Sequence, residues 1–141
     1  MKVLFVCVAN QERSQVARAL FNESSGHESE SAGTRADLII ERTNPPSRML
    51  KDAASNGVQY MKAQGVDISE SLRDQLTEEL VRDADRVIVM AQRDTWPDYL
   101  AASEKVTVWD LPAPVSLGAE AAWAVYDEIK RRVEELVEEI G

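Results

Sequence analysis

The chain has 141 residues, enough for one ordinary domain with its own core, and carries 25 acidic against 16 basic residues for a net charge of −9. That balance opposes binding to nucleic acid backbones or anionic membranes. One cysteine cannot close an internal disulfide, residues 1–20 lack a basic leader followed by a long apolar stretch, and no apolar run approaches membrane-spanning length. A soluble, cytoplasmic protein is therefore expected, with neither nucleic acid nor membrane as partner.

In chain order, residues 2–8 form a near-continuous apolar run, the pattern of a buried parallel strand. Val16, Ala17, Leu20 and Phe21 then recur at helical spacing from Ser14 to about Asn22. Ser29-Glu30-Ser31-Ala32-Gly33 reads as an edge strand ending in a turn. Asn44-Pro45-Pro46 interrupts the chain and favours a helix start directly afterwards, along a face of Leu50, Ala53, Ala54, Gly57, Val58 and Met61 that Gly65 stops. Leu76, Leu80, Val81 and Ala84 suggest another helix, leading into a second buried strand at 86–90. Asp94 or Thr95 is expected to cap a helix start, with Trp96 and Tyr99 packed on neighbours. Residues 105–109 alternate as a fourth strand. Trp123, Tyr126, Ile129, Val133, Leu136, Val137 and Ile140 mark one side of a last helix, whose Glu and Arg residues form a solvated face.

Strands alternating with helices predict an α/β fold: a four-stranded parallel sheet with helices on both faces, in a single domain over 1–141. Ligands bind such sheets at the carboxyl ends of the strands. Cys7 stands at one such end and Trp109-Asp110 at another.

The residues after Cys7 carry the chemistry. A loop of Val8, Ala9, Asn10, Gln11, Glu12, Arg13 and Ser14 at a strand-to-helix junction aims backbone N–H groups and a helix dipole at one point. The same field favours a thiolate, the reactive form of cysteine. Arg13 offers a planar fork for two phosphoryl oxygens, and Ser14 a hydrogen bond to the sulfur. Asn10 tolerates the left-handed backbone that a tight loop without glycine needs. A lone cysteine at a strand end is ordinarily an inert core residue. The Arg13-Ser14 pair at this distance turns the reading to nucleophilic attack on an oxyanion, phosphate first. His27, without cysteine or histidine neighbours, reads as a surface residue, and no metal-ligand spacing or glycine-rich nucleotide fingerprint is present. Neither metal nor cofactor is expected.

With Cys7, Asn10, Arg13 and Ser14 in this order after the first strand, the sequence resembles the low-molecular-weight protein tyrosine phosphatases and the arsenate reductases built on the same fold. Further matches are Ser31-Ala32-Gly33-Thr34, Asn44-Pro45, Gly65-Val66-Asp67-Ile68-Ser69, Leu76-Thr77-Glu78-Glu79-Leu80, Ala84-Asp85-Arg86-Val87-Ile88-Val89-Met90 and Trp109-Asp110-Leu111-Pro112; the stretch 46–64 is longer than usual. The resemblance implies a two-step hydrolysis through a phosphocysteine on Cys7, with an aspartic acid protonating the leaving oxygen. It also implies that Ser31 holds Asn10 in place while Ser14 assists the thiolate.

Two departures stand out. The family's acid usually belongs to an Asp-Pro pair near the carboxyl end, where this chain has Ala113-Pro114, and the aromatic residue that commonly follows is replaced by Val115 and Ser116. Asp110, three residues earlier, is the candidate acid, with a capping role as the alternative. Glu12 stands where relatives carry a small residue or a cysteine, and is expected either to face solvent or a cation, or to act as the proton carrier itself. The leading expectation is a phosphomonoesterase acting on a phosphorylated protein or a small aryl phosphate. The alternatives are a single-cysteine arsenate reductase using an external low-molecular-weight thiol, or a non-catalytic phosphate or phosphopeptide binder. The oligomeric state is left open.

Overall fold

Alternation along the two central strands decides which side of the sheet each residue serves. In this computed structural model, which describes residues 1–53, 55–114 and 117–141, strand β1 spans Lys2–Cys7 and β3 spans Arg86–Val89. Val3, Phe5, Cys7 and Ile88 join one apolar cluster, whereas Leu4, Val6, Val87 and Val89 join the other. Both faces are therefore covered, as the near-continuous apolar runs require.

The sheet has four parallel strands in the order β2-β1-β3-β4, with β2 at Glu28–Gly33 and β4 at Val106–Val108. Helices α1 (Arg13–Ser24), α3 (Asn56–Ala63) and α6 (Ala119–Ile140) pack together over the Phe5 face. Helix α4 (Glu78–Asp83) and the short α5 (Asp98–Ala101) cover the Val6 face. A helix α2 at Ala36–Glu41 follows β2, where the sequence reading assigned no element. Buried Ala36 and Ile40, one turn apart, are its inward stripe.

The strands fall where alternation and apolar runs put them, and the polar Ser29–Gly33 stretch is an edge strand as expected. The helix expected directly after Pro46 is shorter. Met49 and Leu72 form an antiparallel bridge, and Leu50 and Lys51 donate N–H bonds to the carbonyls of Ser71 and Ser69. Those pairings satisfy the backbone in place of a helix. Among the described residues of 47–55 the one helical piece is a 3-10 turn at Leu50–Asp52, and Gly65, at φ 90°, ends α3 as expected. Ala54, Val115 and Ser116 lie outside the described residues.

Two smaller expectations also shift. A 3-10 turn occupies Arg93–Thr95, and α5 starts after Pro97, so neither Asp94 nor Thr95 caps it. Trp96 and Tyr99 do pack on neighbours, with their polar tips bonded to the carbonyls of Ala91 and Leu76. On α6, Trp123 remains 36% exposed against Tyr60 while Tyr126, Ile129, Val133 and Leu136 are buried. His27 is half-buried, its ring stacked on Phe21.

Candidate active site at the Cys7 loop

β1 delivers Cys7 to its carboxyl end, and the chain turns through residues 8–12 into the start of α1. Asn10 makes that turn with φ 51°, the left-handed conformation expected of it. Gly33, at the end of β2, permits the loop to lie so close: a Cβ there would stand 2.5 Å from the Val8 carbonyl oxygen and 2.8 Å from the Asn10 nitrogen. The N–H groups of Thr34 and Arg35 bind the carbonyls of Cys7 and Val8 and hold the loop against β2.

A chain of hydrogen bonds ends on the sulfur. Asn10 Oδ1 accepts from the Asp74 N–H at 2.8 Å and from Gln15 Nε2 at 3.1 Å, which fixes the amide so that Nδ2 donates to Ser14 Oγ at 2.7 Å. Ser14 Oγ is then left to donate its own proton to Cys7 Sγ, 2.9 Å away. Cys7 is 2% exposed and Ser14 is buried. Gln15 and Asp74 were not singled out from sequence. Ser31, expected to hold Asn10, does not: its buried hydroxyl has no hydrogen-bond partner among the described residues, and Gln15 with the Asp74 amide fills that role.

Arg13 is buried and turned inward. One terminal nitrogen, Nη1, donates to the carbonyls of Met90 and Leu111, at the ends of β3 and beyond β4, at 2.5 and 3.1 Å. Those carbonyls, just past the carboxyl ends of the neighbouring strands, hold one side of the fork. Glu12 occupies the N-cap position of α1 without capping it, so its side chain does not plug the first-turn N–H groups.

The Glu12 carboxyl goes elsewhere. It is 4% exposed, and Oε1 accepts the Asn56 N–H at 3.0 Å where α3 begins, next to a bond from Ser55 Oγ to the Gln11 carbonyl. Oε2 and the Tyr126 hydroxyl are both buried and face one another without reaching hydrogen-bond geometry. Burial pushes the Glu12 carboxyl above its ordinary range, against the pull of the Asn56 N–H, Tyr126 and the Arg13 charge. Glu12 therefore faces inward, away from solvent, and makes no ion pair among the described residues.

Cys7, Val8, Ala9, Gln11, Glu12, Arg13, Ile39, Gln92, Ala113 and Pro114 line a hollow of about 230 Å³. Ala9, Ala113 and Pro114 are among the small apolar groups of its lining, and Ala113 stands where the family resemblance implies an acid. Asp110 is exposed and lines a neighbouring hollow with Met90, Gln92, Trp96 and Leu111. Glu12 is thus the one carboxyl that lines the Cys7 hollow among the described residues.

Sequence reasoning also missed Arg73. It is 2% exposed and lies behind the loop, with Nη2 donating to the Ala9 carbonyl at 3.3 Å. Among the described residues, no cluster of three His, Cys, Asp or Glu side chains is placed to hold a metal, and no helix is long and apolar enough to cross a membrane.

Known proteins resemble this chain in sequence and in fold. An arsenate reductase of Halalkalibacterium halodurans is 32% identical over 146 residues, covering 96% of this chain and 94% of that protein. The low molecular weight protein tyrosine phosphatase of T. tengcongensis superposes with a TM-score of 0.79 at 27% identity, covering 99% of both chains. Vibrio vulnificus Wzb, solved in complex with benzylphosphonate, superposes with a TM-score of 0.81 at 22% identity, covering 98% and 97%, which speaks to the fold alone. The family model described as low molecular weight phosphotyrosine protein phosphatase matches residues 2–141, and the chain belongs to that family.

Proposed function

We propose that the chain is a cytoplasmic phosphomonoesterase, one domain over residues 1–141, acting on aryl phosphates: phosphotyrosine in a protein or a small aryl ester. The observation that carries this reading is the hydrogen-bond chain from the Asp74 amide through Asn10 and Ser14 to the sulfur, opposite an Arg13 held inward by two carbonyls.

In the first step the Cys7 thiolate attacks phosphorus, an S–P bond forms and the bond to the leaving oxygen breaks. Loop N–H groups of residues 8–14 and the Arg13 fork carry the charge on the equatorial oxygens. Water then attacks the phosphocysteine, phosphate departs, and Ser14 stabilises the returning thiolate. Asp110 is exposed on the neighbouring hollow and is not part of the lining of the Cys7 hollow, so it is not placed there as the proton donor. Leaving groups that depart unprotonated are therefore favoured, so activated aryl phosphates are hydrolysed far faster than alkyl phosphates.

The test is hydrolysis of an activated aryl phosphate by the purified chain. Cys7→Ser abolishes it while phosphate binding and circular dichroism persist. Turnover that survives in the Ser variant overturns the thiolate mechanism.

Arsenate reduction is a second reading, favoured by Ala113 in the hollow and by the curated relative. Cys7 would form an S–As bond with loss of water; an external thiol would then attack the Cys7 sulfur, releasing As(III) and leaving a mixed disulfide for a second thiol to resolve. The form that passes a disulfide through two further cysteines is excluded, because the chain has one. Arsenate-dependent oxidation of a small thiol with negligible ester hydrolysis selects this reading.

A further inference from the structure

Arg73 is the largest fully buried side chain, and no carboxylate pairs with it among the described residues. Among the described residues its buried Nε has no hydrogen-bond partner, and its one side-chain bond is the donation to Ala9. Burying a guanidinium in this state is costly unless another charge compensates it. Burial accordingly pulls the Arg73 guanidinium below its usual range; among the described residues a negative charge on Cys7 opposes that pull, and Arg48, behind it, adds to the repulsion.

The backbone leaves Arg73 little freedom to escape. Its N–H and carbonyl bond the Arg48 carbonyl and Arg48 Nη1. On the other side the Asp74 N–H is bonded to Asn10, the Asp74 carbonyl accepts the Gly33 N–H, and the Leu76 N–H binds the Gly33 carbonyl. The segment is thus stitched to the nucleophile loop and to β2, and it presents a cation to the rear of the loop while Arg13 occupies the front.

We propose that Arg73 is a positioning residue for the nucleophile, a buried second cation whose counter-charge is the Cys7 thiolate and which holds the loop through the Ala9 carbonyl. The proposal rests on Cys7 being the nucleophile. The charged and titratable groups facing the loop are Arg13 and Glu12 at the start of α1, Tyr126 from α6, and Arg73 with Arg48 behind it. Of these three arginines, Arg73 alone has neither an anionic partner nor a pair of carbonyls among the described residues.

Alkylation by iodoacetamide reads the thiolate directly, and Cys7 is the one cysteine in the chain, so the label has a single address. Across about pH 5.5 to 9, Arg73→Gln, which keeps a donor for Ala9 but no charge, is expected to alkylate about tenfold more slowly at neutral pH and to recover at alkaline pH. Arg73→Lys, which keeps the charge, stays within about threefold of the parent. A folded Arg73→Gln that alkylates like the parent across the range overturns the proposal.

Urea stability of the same substitution in the Cys7→Ser background gives a second reading. A cation balanced by the thiolate becomes a buried charge without a counter-charge there, so Arg73→Gln costs less than in the parent. Equal cost in both backgrounds, or failure to fold in both, reduces Arg73 to a folding role and overturns the proposal. Folding in the Ser background alone supports it. Because alkylation needs no turnover, a chain that labels as expected but hydrolyses no ester sinks the phosphatase reading and leaves the role of Arg73 standing.

Discussion

The loop that starts at Cys7 and the segment 110–114, through Ala113 and Pro114, meet at one hollow, but they are built differently. The first segment is bonded to β2 through Thr34 and Arg35, to the 73–75 stretch through Asn10, and to the start of α3 through Gln11 and Glu12. The second contributes the Leu111 carbonyl to Arg13, and an alanine and a proline to the wall. A rigid oxyanion grip faces a sparse leaving-group side. The grip handles the part common to every phosphate or arsenate, whereas the sparse side meets what differs between substrates. Such a site retains its nucleophile chemistry while giving little help to a poor leaving group.

The largest effect expected from breaking the rigid half comes from Arg13→Lys. A lysine ammonium cannot serve the Met90 and Leu111 carbonyls and two phosphoryl oxygens in one plane, so kcat on an aryl phosphate falls by about 10² to 10³. Steady-state kinetics beside a phosphate titration checks this, and a drop under tenfold means the fork is not what grips the transition state. Gly33→Ala comes next. Its methyl would stand 2.5 Å from the Val8 oxygen, and all three close atoms are backbone, so the loop must shift. A loss of about 1–3 kcal/mol in urea denaturation is expected, with phosphate affinity falling alongside it. A variant as stable as the parent, with unchanged affinity, shows that the close packing of loop on β2 is dispensable.

Ala113→Asp sharpens the comparison from the other side. Ala113 is half-exposed and lines the hollow. A carboxyl at that point supplies a proton donor, and turnover of an unactivated aryl phosphate should rise about tenfold, below the full range for general acids because the surrounding loop was not shaped for one. The activated ester should change little. Equal gains on both esters would trace the effect to binding instead of protonation.

The rigid half was also the half legible in sequence, and for a physical reason. Strand, nucleophile, left-handed Asn10 and helix start are contiguous, so local chemistry alone implies their geometry. Its supports were not legible. Asp74 and Arg73 reach the loop from more than sixty residues away, and an arginine buried behind a loop has the same sequence signature as one in solvent. The nearest signal was position: Arg73 lies between two segments that matched the family. Residues 47–53 misled differently, because helical spacing of Leu50 and Ala53 coexists with backbone pairing to 69–73, and pairing with a distant strand-like segment overrides local periodicity. Ser31 was placed on the right strand, yet its hydroxyl meets no donor or acceptor among the described residues, since Gln15 had already taken the Asn10 carbonyl.

Glu12→Gln should have the smallest effect on turnover and the clearest effect on pH dependence. An amide oxygen accepts the Asn56 N–H as the carboxyl does, and the amide nitrogen can donate toward the Tyr126 oxygen, so kcat stays within about threefold. Stability behaves otherwise. Burial raises the folded-state value of this acid above its ordinary 4.5, so the folded protein holds the proton more tightly than the unfolded chain. The contribution is fully present below 4.5 and is lost as pH rises through the raised folded value. Glutamine carries no such proton. Urea midpoints should therefore agree between parent and variant near pH 4.5, and the variant should be the more stable near pH 8. A parent that gains on the variant as pH rises would mean that Glu12 is stabilised as a carboxylate, with Tyr126 and Asn56 as its donors. A turnover loss of a hundredfold in Glu12→Gln would instead make the buried carboxyl the missing proton donor, and the sparse side of the site would then have its acid after all, supplied from within the rigid one.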